Sequence, residues 1–157
     1  MHTFDRRMPP GTVASATITL AYEARRKSRQ KVRIDDGEEA GVILPWGETL
    51  RHGDVLATAS GLVVRIVAAP EPVLAIRCSH PRELARVAYH LGNRHVAVEV
   101  NEGVLKIAPD HVLRAMVEGL GAHVELVHAP FEPESGAYGG HVHDPVPTRF
   151  PRRPQAS

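Results

Sequence analysis

The period of the hydrophobic pattern changes near residue 70, and this change constrains the fold more than any other feature of the chain. Between residues 13 and 67, short alternating apolar stretches are separated by turn signals such as Asp36-Gly37 and Ser60-Gly61. Short strands with frequent glycine turns are typical of a small barrel or sandwich. Beyond residue 70, apolar residues recur at helical spacing. The sequence therefore predicts an α+β fold that begins with a small N-terminal all-β domain.

Two amphipathic helices are predicted in the second half, over residues 81–91 and 109–120. In each, apolar residues recur at i, i+3, i+4 and i+7, which places their side chains on one helical face. Gly92 and Gly121 suit the C-terminal ends of these helices. The order of elements is βαββαβ, that of a ferredoxin-like domain, with strands predicted at residues 73–78, 96–100, 104–108 and 124–127.

The prolines indicate where the parts of the chain meet. Pro70 and Pro72 lack the N–H that a sheet ladder needs, and they favour an extended linker between a domain at residues 1–69 and one at residues 73–129. From residue 130 onward proline is frequent and no apolar period remains. Residues 130–157 are therefore expected to form a flexible tail, because they bury too little surface to fold alone.

Charge and cysteine content exclude several classes of protein. A formal net charge of +1 supplies no field that would attract nucleic acid or an acidic membrane, and we expect neither as a partner. Cys78 is the single cysteine, so nothing indicates an oxidising compartment. We recognise no signal peptide or transmembrane run and expect a cytoplasmic location. The basic run at residues 25–31 is expected to be a solvated loop or strand edge.

The register of the hairpin between the two middle strands can be predicted from its pattern of apolar and charged residues. If residues 102–103 form the turn, Val100 faces Leu105 on the side covered by the helices, and Glu99 faces Lys106 on the other side. This register pairs apolar with apolar and charge with opposite charge. A slip by one residue would place a lysine opposite a core valine, so the pattern strongly favours the stated register.

The same register places His95 on the open side or rim of the sheet, with His111 close by. A single exposed histidine is commonly an ordinary surface residue, and one imidazole holds a divalent metal poorly. A two-fold dimer changes this, because an isologous interface brings the same residue from both chains to the axis. Two copies of His95 would then form half of a coordination shell.

His141 and His143 form a His-x-His pair in the tail, and an extended backbone would place both rings on one side. A solvated tail without a metal role is equally compatible with this pattern. Neutral imidazole suits nickel, copper and zinc alike, and copper generally binds more tightly than nickel. The histidines therefore indicate a divalent metal without selecting one.

Two other classes of function share parts of this pattern. His-x-His motifs occur in metallohydrolases, but no set of carboxylate, histidine and nucleophile converges on a predicted pocket. RNA-recognition modules have the same βαββαβ order, but they carry stacking aromatic residues on the central strands. The strands predicted at residues 73–78 and 104–108 contain no aromatic residue, so both alternatives are disfavoured.

Five short motifs are distributed over both halves of the chain. The second half contains YHLGNRH at residues 89–95, DHVL at residues 110–113 and PFEPESGAYG at residues 130–139. The first half contains LPWG at residues 44–47 and GDVL at residues 53–56. Together these motifs resemble the UreE family, urease accessory proteins that act as nickel metallochaperones. The resemblance extends over nearly the whole chain, and the combined set of motifs is highly specific.

The resemblance implies that the protein is not an enzyme but a homodimer that carries Ni(II). It implies that the two copies of His95 share one nickel ion, that His141 and His143 add ligands, and that Cu(II) or Zn(II) substitutes in vitro. The N-terminal domain would engage protein partners, namely the accessory GTPase UreG and the complex of urease apoprotein with its accessory proteins. Pro109 occupies a position where some members have a second histidine, so His111 is an isolated candidate ligand.

Overall fold

The first half of the chain forms one six-stranded sheet in the computed structural model, which describes residues 1–135. The strands are β1 His2–Met8, β2 Ala16–Leu20, β3 Arg29–Arg33, β4 Glu39–Ile43, β5 Val55–Thr58 and β6 Val63–Ala68. Their spatial order is β2-β6-β5-β1-β4-β3. The pairs β1–β4 and β2–β6 are parallel, and the other neighbouring strands are antiparallel.

The two edges of this sheet meet at Asp35, which follows β3. Its backbone N–H donates to the carbonyl of Thr17 on β2 at 2.9 Å. The hydroxyls of Thr17 and Thr19 donate to its carboxylate at 2.5 and 2.7 Å. Burial acts to raise the pKa of Asp35, but the hydrogen bonds outweigh it and hold the pKa below its usual range. The sheet therefore curls, as a small barrel does, around a core that is mainly aliphatic: Phe4, Ile18, Ile34, Val42, Leu50, Leu56, Val64 and Ile66.

Three features of the first half differ from the sequence prediction. Strand β1 was not predicted, because Phe4 is its only fully buried residue and its pattern does not alternate. A short helix, α1 Tyr22–Arg25, interrupts the strands of the predicted all-β domain. Arg25, expected at a solvated loop or strand edge, is completely buried. Arg26 and Lys27 are exposed between α1 and β3, and Arg29 to Lys31 lie in β3, an edge strand, so the expectation of a loop or strand edge fits the rest of the basic run.

The second half forms a four-stranded antiparallel sheet with two helices. Its elements are β7 Pro70–Arg77, α2 Pro81–Asn93, β8 Glu99–Asn101, β9 Val104–Ile107, α3 His111–Gly119 and β10 His123–Pro130. The order along the chain is βαββαβ and the order across the sheet is β10-β7-β9-β8. The predicted α+β class with a ferredoxin-like arrangement is confirmed. None of the helices within residues 1–135 is long and apolar enough to cross a membrane.

Pro70 and Pro72 lie inside β7, not in a linker. They are paired in the ladder with Pro130 and His128 of β10. Both precede Leu74, where pairing of β7 with β9 begins. Because alternate residues of a strand direct their N–H groups to opposite sides, two prolines spaced two apart leave the bonds on one side intact. The expectation of an extended linker was wrong because the prolines occupy a segment that pairs on one side only.

The C-terminal segment is packed further than the sequence indicated. Residues 130–157 were expected to form a flexible tail, but Pro130 ends β10, and Phe131 and Pro133 are buried. Phe131 packs edge-on against the ring of Tyr22 in α1, with the ring centroids 5.2 Å apart. A large aromatic residue gains enough from burial to order this short stretch. Residues 136–157, and with them His141 and His143, lie outside the described part of the chain.

Candidate metal centre

His95 lies in a tight turn directly after α2. The helix continues through Gly92 to Asn93, so Gly92 does not end it. The backbone N–H of His95 donates to the Gly92 carbonyl at 3.1 Å, and the His95 φ angle is 54°. Within residues 1–135, no other non-glycine residue has a positive φ. The expectation that His95 opens a strand was wrong, because this turn comes first and β8 begins only at Glu99.

The turn holds the imidazole of His95 at the surface, where the side chain is exposed. A left-handed backbone costs an L-residue about 1 kcal/mol, although histidine tolerates it better than most residues do. Backbone strain of this kind persists where the surrounding structure determines it, and it is frequent at functional sites. The conformation therefore singles out His95 among the histidines of the described chain.

The predicted hairpin register is confirmed where the strands pair. Val100 is opposite Leu105 and Glu99 is opposite Lys106. Lys106 Nζ lies 3.2 Å from Glu99 Oε2. The face away from the helices was expected to be open, but Glu99 is buried there. Its Oε1 accepts a hydrogen bond of 2.7 Å from the backbone N–H of Glu132, so the segment after β10 covers this part of the sheet.

A cavity of about 430 Å³ is lined by His95 together with residues of the first half of the molecule. These are Tyr22 of α1 and the neighbouring Arg26, and Glu134 also lines the cavity. A second cleft of about 310 Å³ shares part of this lining and reaches Asp110. The two cavities share Tyr22, Arg26, Val96 and Ala97, and the proximity of His95 to the start of α3 stays a prediction.

His111 is the first residue of α3 and is exposed. The preceding Asp110 caps the helix: its Oδ1 accepts hydrogen bonds of 2.9 Å from the N–H groups of Val112 and Leu113. Capping therefore uses one oxygen of the Asp110 carboxylate, which is adjacent to His111 in the sequence. Within residues 1–135, no three histidine, cysteine or acidic side chains converge as a metal would require. The described part of one chain therefore offers single donors and not a complete site.

Cys78 is half-buried beside the core under α2. Burial, assisted by the nearby Glu83, raises the pKa of its thiol. A raised pKa leaves less thiolate at neutral pH, and the thiolate is the form that binds metal. The prediction that Cys78 belongs to the core fits its packing.

Arg25 is a structural residue that the sequence did not single out. Its guanidinium donates to the carbonyl oxygens of Phe131, Leu50 and Leu20, the last two at 3.3 and 3.1 Å. Its Nη1 lies 3.7 Å from Glu132 Oε1. Burial lowers the pKa of Arg25, and the charge of Glu132 opposes that effect. The only signal in the sequence was a tyrosine and alanine beside the basic run, which is weak evidence for a helix.

Residues 131–134, which we call the clamp segment, bridge the two sheets. Arg51, from the first half, donates to the Pro133 carbonyl at 2.5 Å. The backbone N–H of His52 donates to Glu132 Oε1 at 2.6 Å. On the other side, the N–H of Glu134 donates to the Val98 carbonyl at 2.8 Å. The clamp segment therefore fixes the neighbourhood of His95 from both halves of the molecule.

Family models match both halves of the chain. Residues 4–69 match the model described as UreE urease accessory protein, N-terminal domain, and residues 71–149 match the model of the C-terminal domain. The two matches meet close to the start of β7. Together they include the turn with His95, the clamp segment and the positions of His141 and His143.

Several curated proteins named urease accessory protein UreE are similar to this chain. One from Burkholderia orbicola (strain AU 1054) is 50% identical over 154 residues, which cover 92% of this chain and 76% of that protein. One from Pseudomonas putida (strain W619) is 50% identical over 144 residues, which cover 91% and 89%. Another from Pseudomonas putida (strain GB-1) is 52% identical over 136 residues, which cover 85% and 82%. The chain belongs to the UreE family of urease accessory proteins.

Proposed function

We propose that the protein serves urease maturation by binding Ni(II) between two copies of the chain, with His95 from each, and delivering it for assembly of the urease active site. One observation carries the proposal: His95 is exposed in a strained turn, and the described part of a single chain has no complete donor set around it. A two-fold partner supplies the second imidazole. Nickel is cargo in this scheme and not a catalytic group.

Exposed apolar residues support a dimer contact at this end of the second half. Tyr89, near the end of α2, is 66% exposed, and Val112, in the first turn of α3, is 52% exposed. The end of α2 and the start of α3 lie at the same end of the sheet as His95. Covering apolar surface stabilises association by about 25 cal/mol per Å². A homodimer formed here would bring the two His95 side chains together.

Two imidazoles leave coordination positions open, and we assign these to His141 and His143. Histidine and oxygen donors also suit Cu(II) and Zn(II), which we expect to substitute in vitro. His111 sits beside the proposed contact, and Pro109 occupies the position from which a second histidine would assist it. We therefore expect it to contribute less to the affinity for nickel than His95 does.

The first half of the molecule is the proposed contact surface for UreG and for the complex of urease apoprotein with its accessory proteins. Trp46, in the connection between β4 and β5, is 94% exposed. Exposed tryptophan is frequent among the residues that dominate protein interfaces. A carrier that meets these partners would act in the cytoplasm and would need no catalytic residues of its own.

Titration calorimetry tests the metal site. The wild-type protein should bind about one nickel ion per two chains at high affinity. His95→Ala should weaken this binding by about 100-fold or more, because both central ligands disappear together. The matched control is His111→Ala, another exposed histidine at the same end of the sheet, which should change the affinity several-fold at most. Tight binding that survives in His95→Ala would remove the central claim.

Delivery separates a urease chaperone from a general divalent-metal protein. Nickel-loaded protein should increase urease activity when mixed with the complex of urease apoprotein with its accessory proteins. His95→Ala protein supplied with the same total nickel should do so much less. Equal activation by both would favour the alternative of a general Cu, Zn or Ni binding protein without a delivery role.

A further inference from the structure

Glu134 lies across the same cavity as His95, about 430 Å³ in volume. The two residues come from different parts of the chain, one from the turn after α2 and the other from the end of the clamp segment. Glu134 is exposed, and its side chain forms no ion pair or hydrogen bond within residues 1–135. The cavity therefore contains an acidic side chain that is not committed elsewhere in the described chain.

The backbone of Glu134 is held in place from two directions. Its own N–H donates to the Val98 carbonyl at 2.8 Å, three residues beyond His95. The preceding Pro133 is buried, and its carbonyl accepts from Arg51 at 2.5 Å. One residue earlier, the N–H of Glu132 is bound to Glu99. This succession of contacts places Glu134 beside the turn without using its carboxylate.

Among the residues within 1–135 that line this cavity, Arg26 is the one basic side chain besides His95. Its Nη1 lies 3.3 Å from each carboxylate oxygen of Glu23. Its guanidinium also lies over the ring of Tyr22, 5.6 Å from the centroid. Arg26 thus has partners on α1, whereas the side chain of His95 has no hydrogen-bond or ion-pair partner within residues 1–135.

We propose that, when His95 binds the metal, the carboxylate of Glu134 turns toward it and accepts a hydrogen bond from the ring nitrogen that does not bind the metal, a bond that forms only in the metal-bound state. The inference rests on the proposed function, in which the other ring nitrogen binds nickel. A histidine that binds a metal usually donates its second ring N–H to a carboxylate or carbonyl, which fixes the tautomer and raises the basicity of the ligand. Glu134 is thus a positioning residue, supplied by a segment that the first half of the molecule anchors.

Three variants of the full chain test this role by nickel titration calorimetry. Glu134→Ala removes the acceptor but keeps the backbone bond to Val98, and the affinity should fall by about 10- to 100-fold. Glu134→Gln keeps a neutral acceptor oxygen and should retain part of the affinity. Glu102→Ala, an exposed glutamate in the turn between β8 and β9, removes the same charge and should bind as the wild type does. Unfolding midpoints of all three should agree.

Proton NMR of the Co(II)-substituted protein supplies a readout that a purely structural role would not move. The ring N–H of metal-bound His95 should give a shifted, slowly exchanging resonance in the wild type and exchange rapidly in Glu134→Ala. Wild-type affinity in Glu134→Ala, or a protected resonance that persists in it, would overturn the inference. If tight binding instead survives in His95→Ala, the proposed function fails, whatever Glu134 does.

Discussion

His95 and Arg25 are both basic side chains near the junction of the two sheets, but they differ in burial and in the hydrogen bonds that they form. Arg25 is completely buried and donates to three carbonyl oxygens, with Glu132 nearby. His95 is exposed, in a strained turn, and forms no side-chain hydrogen bond or ion pair within residues 1–135. The first arrangement stabilises the protein, and the second leaves an imidazole available to a ligand.

This difference between Arg25 and His95 indicates which residues hold the surroundings of the candidate site in place. The turn with His95 is exposed, but the clamp segment beside it is bound to Arg25 and Arg51 from the first half. A buried arginine whose hydrogen bonds are satisfied holds several backbone groups at once. The stable region thus supports the exposed one, although they are far apart in the sequence.

Arg25→Ala should have the largest effect on stability. The substitution leaves buried carbonyl oxygens without a donor and opens a cavity, so the free energy of unfolding should fall by about 3 kcal/mol. Urea denaturation followed by circular dichroism would measure the loss. The matched control is Arg26→Ala, where an exposed ion pair with Glu23 is lost and the change should stay below about 0.5 kcal/mol. Equal losses in both variants would contradict the contrast between buried and exposed charge.

Asp110→Ala should have an intermediate effect. It removes the acceptor for two N–H groups at the start of α3, and the loss of such a cap typically costs about 1 kcal/mol. Thermal unfolding of the metal-free protein would detect this change. Asp110→Asn keeps an acceptor oxygen and should restore most of the stability. If Asn fails to rescue, Asp110 contributes through its charge and not through capping.

Asp35 should make the first half sensitive to acid, with an effect smaller than that of the Asp110 cap because Asp35 is exposed. Its pKa in the folded protein is lowered by the hydrogen bonds from Thr17 and Thr19, which outweigh the opposing effect of burial. The stabilisation is therefore present at neutral pH and is lost as the pH falls through the folded pKa. Asp35→Asn should flatten the fall in stability at low pH. An unchanged pH profile in Asp35→Asn would show that this carboxylate does not contribute to the pH dependence of stability.

His95→Gly should change stability least. Glycine relieves the left-handed strain of about 1 kcal/mol, but its larger entropy in the unfolded chain offsets much of that gain. We expect a change within about 0.5 kcal/mol in the metal-free protein, together with loss of tight nickel binding. His90→Gly, within α2, should cost about 1 kcal/mol because it replaces a helical residue. A large loss in His95→Gly would mean that the imidazole supports the fold.

Periodic patterns explain why much of the second half was predictable. Leu84, Val87 and Leu91 repeat at helical spacing, and both helices of the second half, α2 and α3, contain the predicted apolar faces. The opposed charges of Glu99 and Lys106 determined the hairpin register, because a slip would have buried a lysine. Gly121 ends α3 with a φ of 92°, as expected of a C-terminal glycine. Patterns between residues close in the sequence are enough to predict such elements, because the partners of each residue lie a few positions away along the chain.

Contacts between distant segments explain what the sequence did not reveal. Residues 131–134 contain one phenylalanine, one proline and two glutamates, too little apolar surface to predict a packed segment, yet partners from the first half bind their backbone. The β7 prolines were misread for a related reason, since their effect depended on which side of the strand was paired. Neither the packing of residues 131–134 nor the one-sided pairing of the β7 prolines can be predicted from residues that are close in the sequence.

By itself, the sequence determined the βαββαβ order, the hairpin register and the candidacy of His95, because these depend on neighbours along the chain. The tertiary structure alone decided that Arg25 is buried, that residues 131–134 bridge the two sheets, and that Glu134 lies across a cavity from His95. Those features depend on hydrogen bonds between residues as much as 106 positions apart. Such bonds exist only after the two halves have packed together.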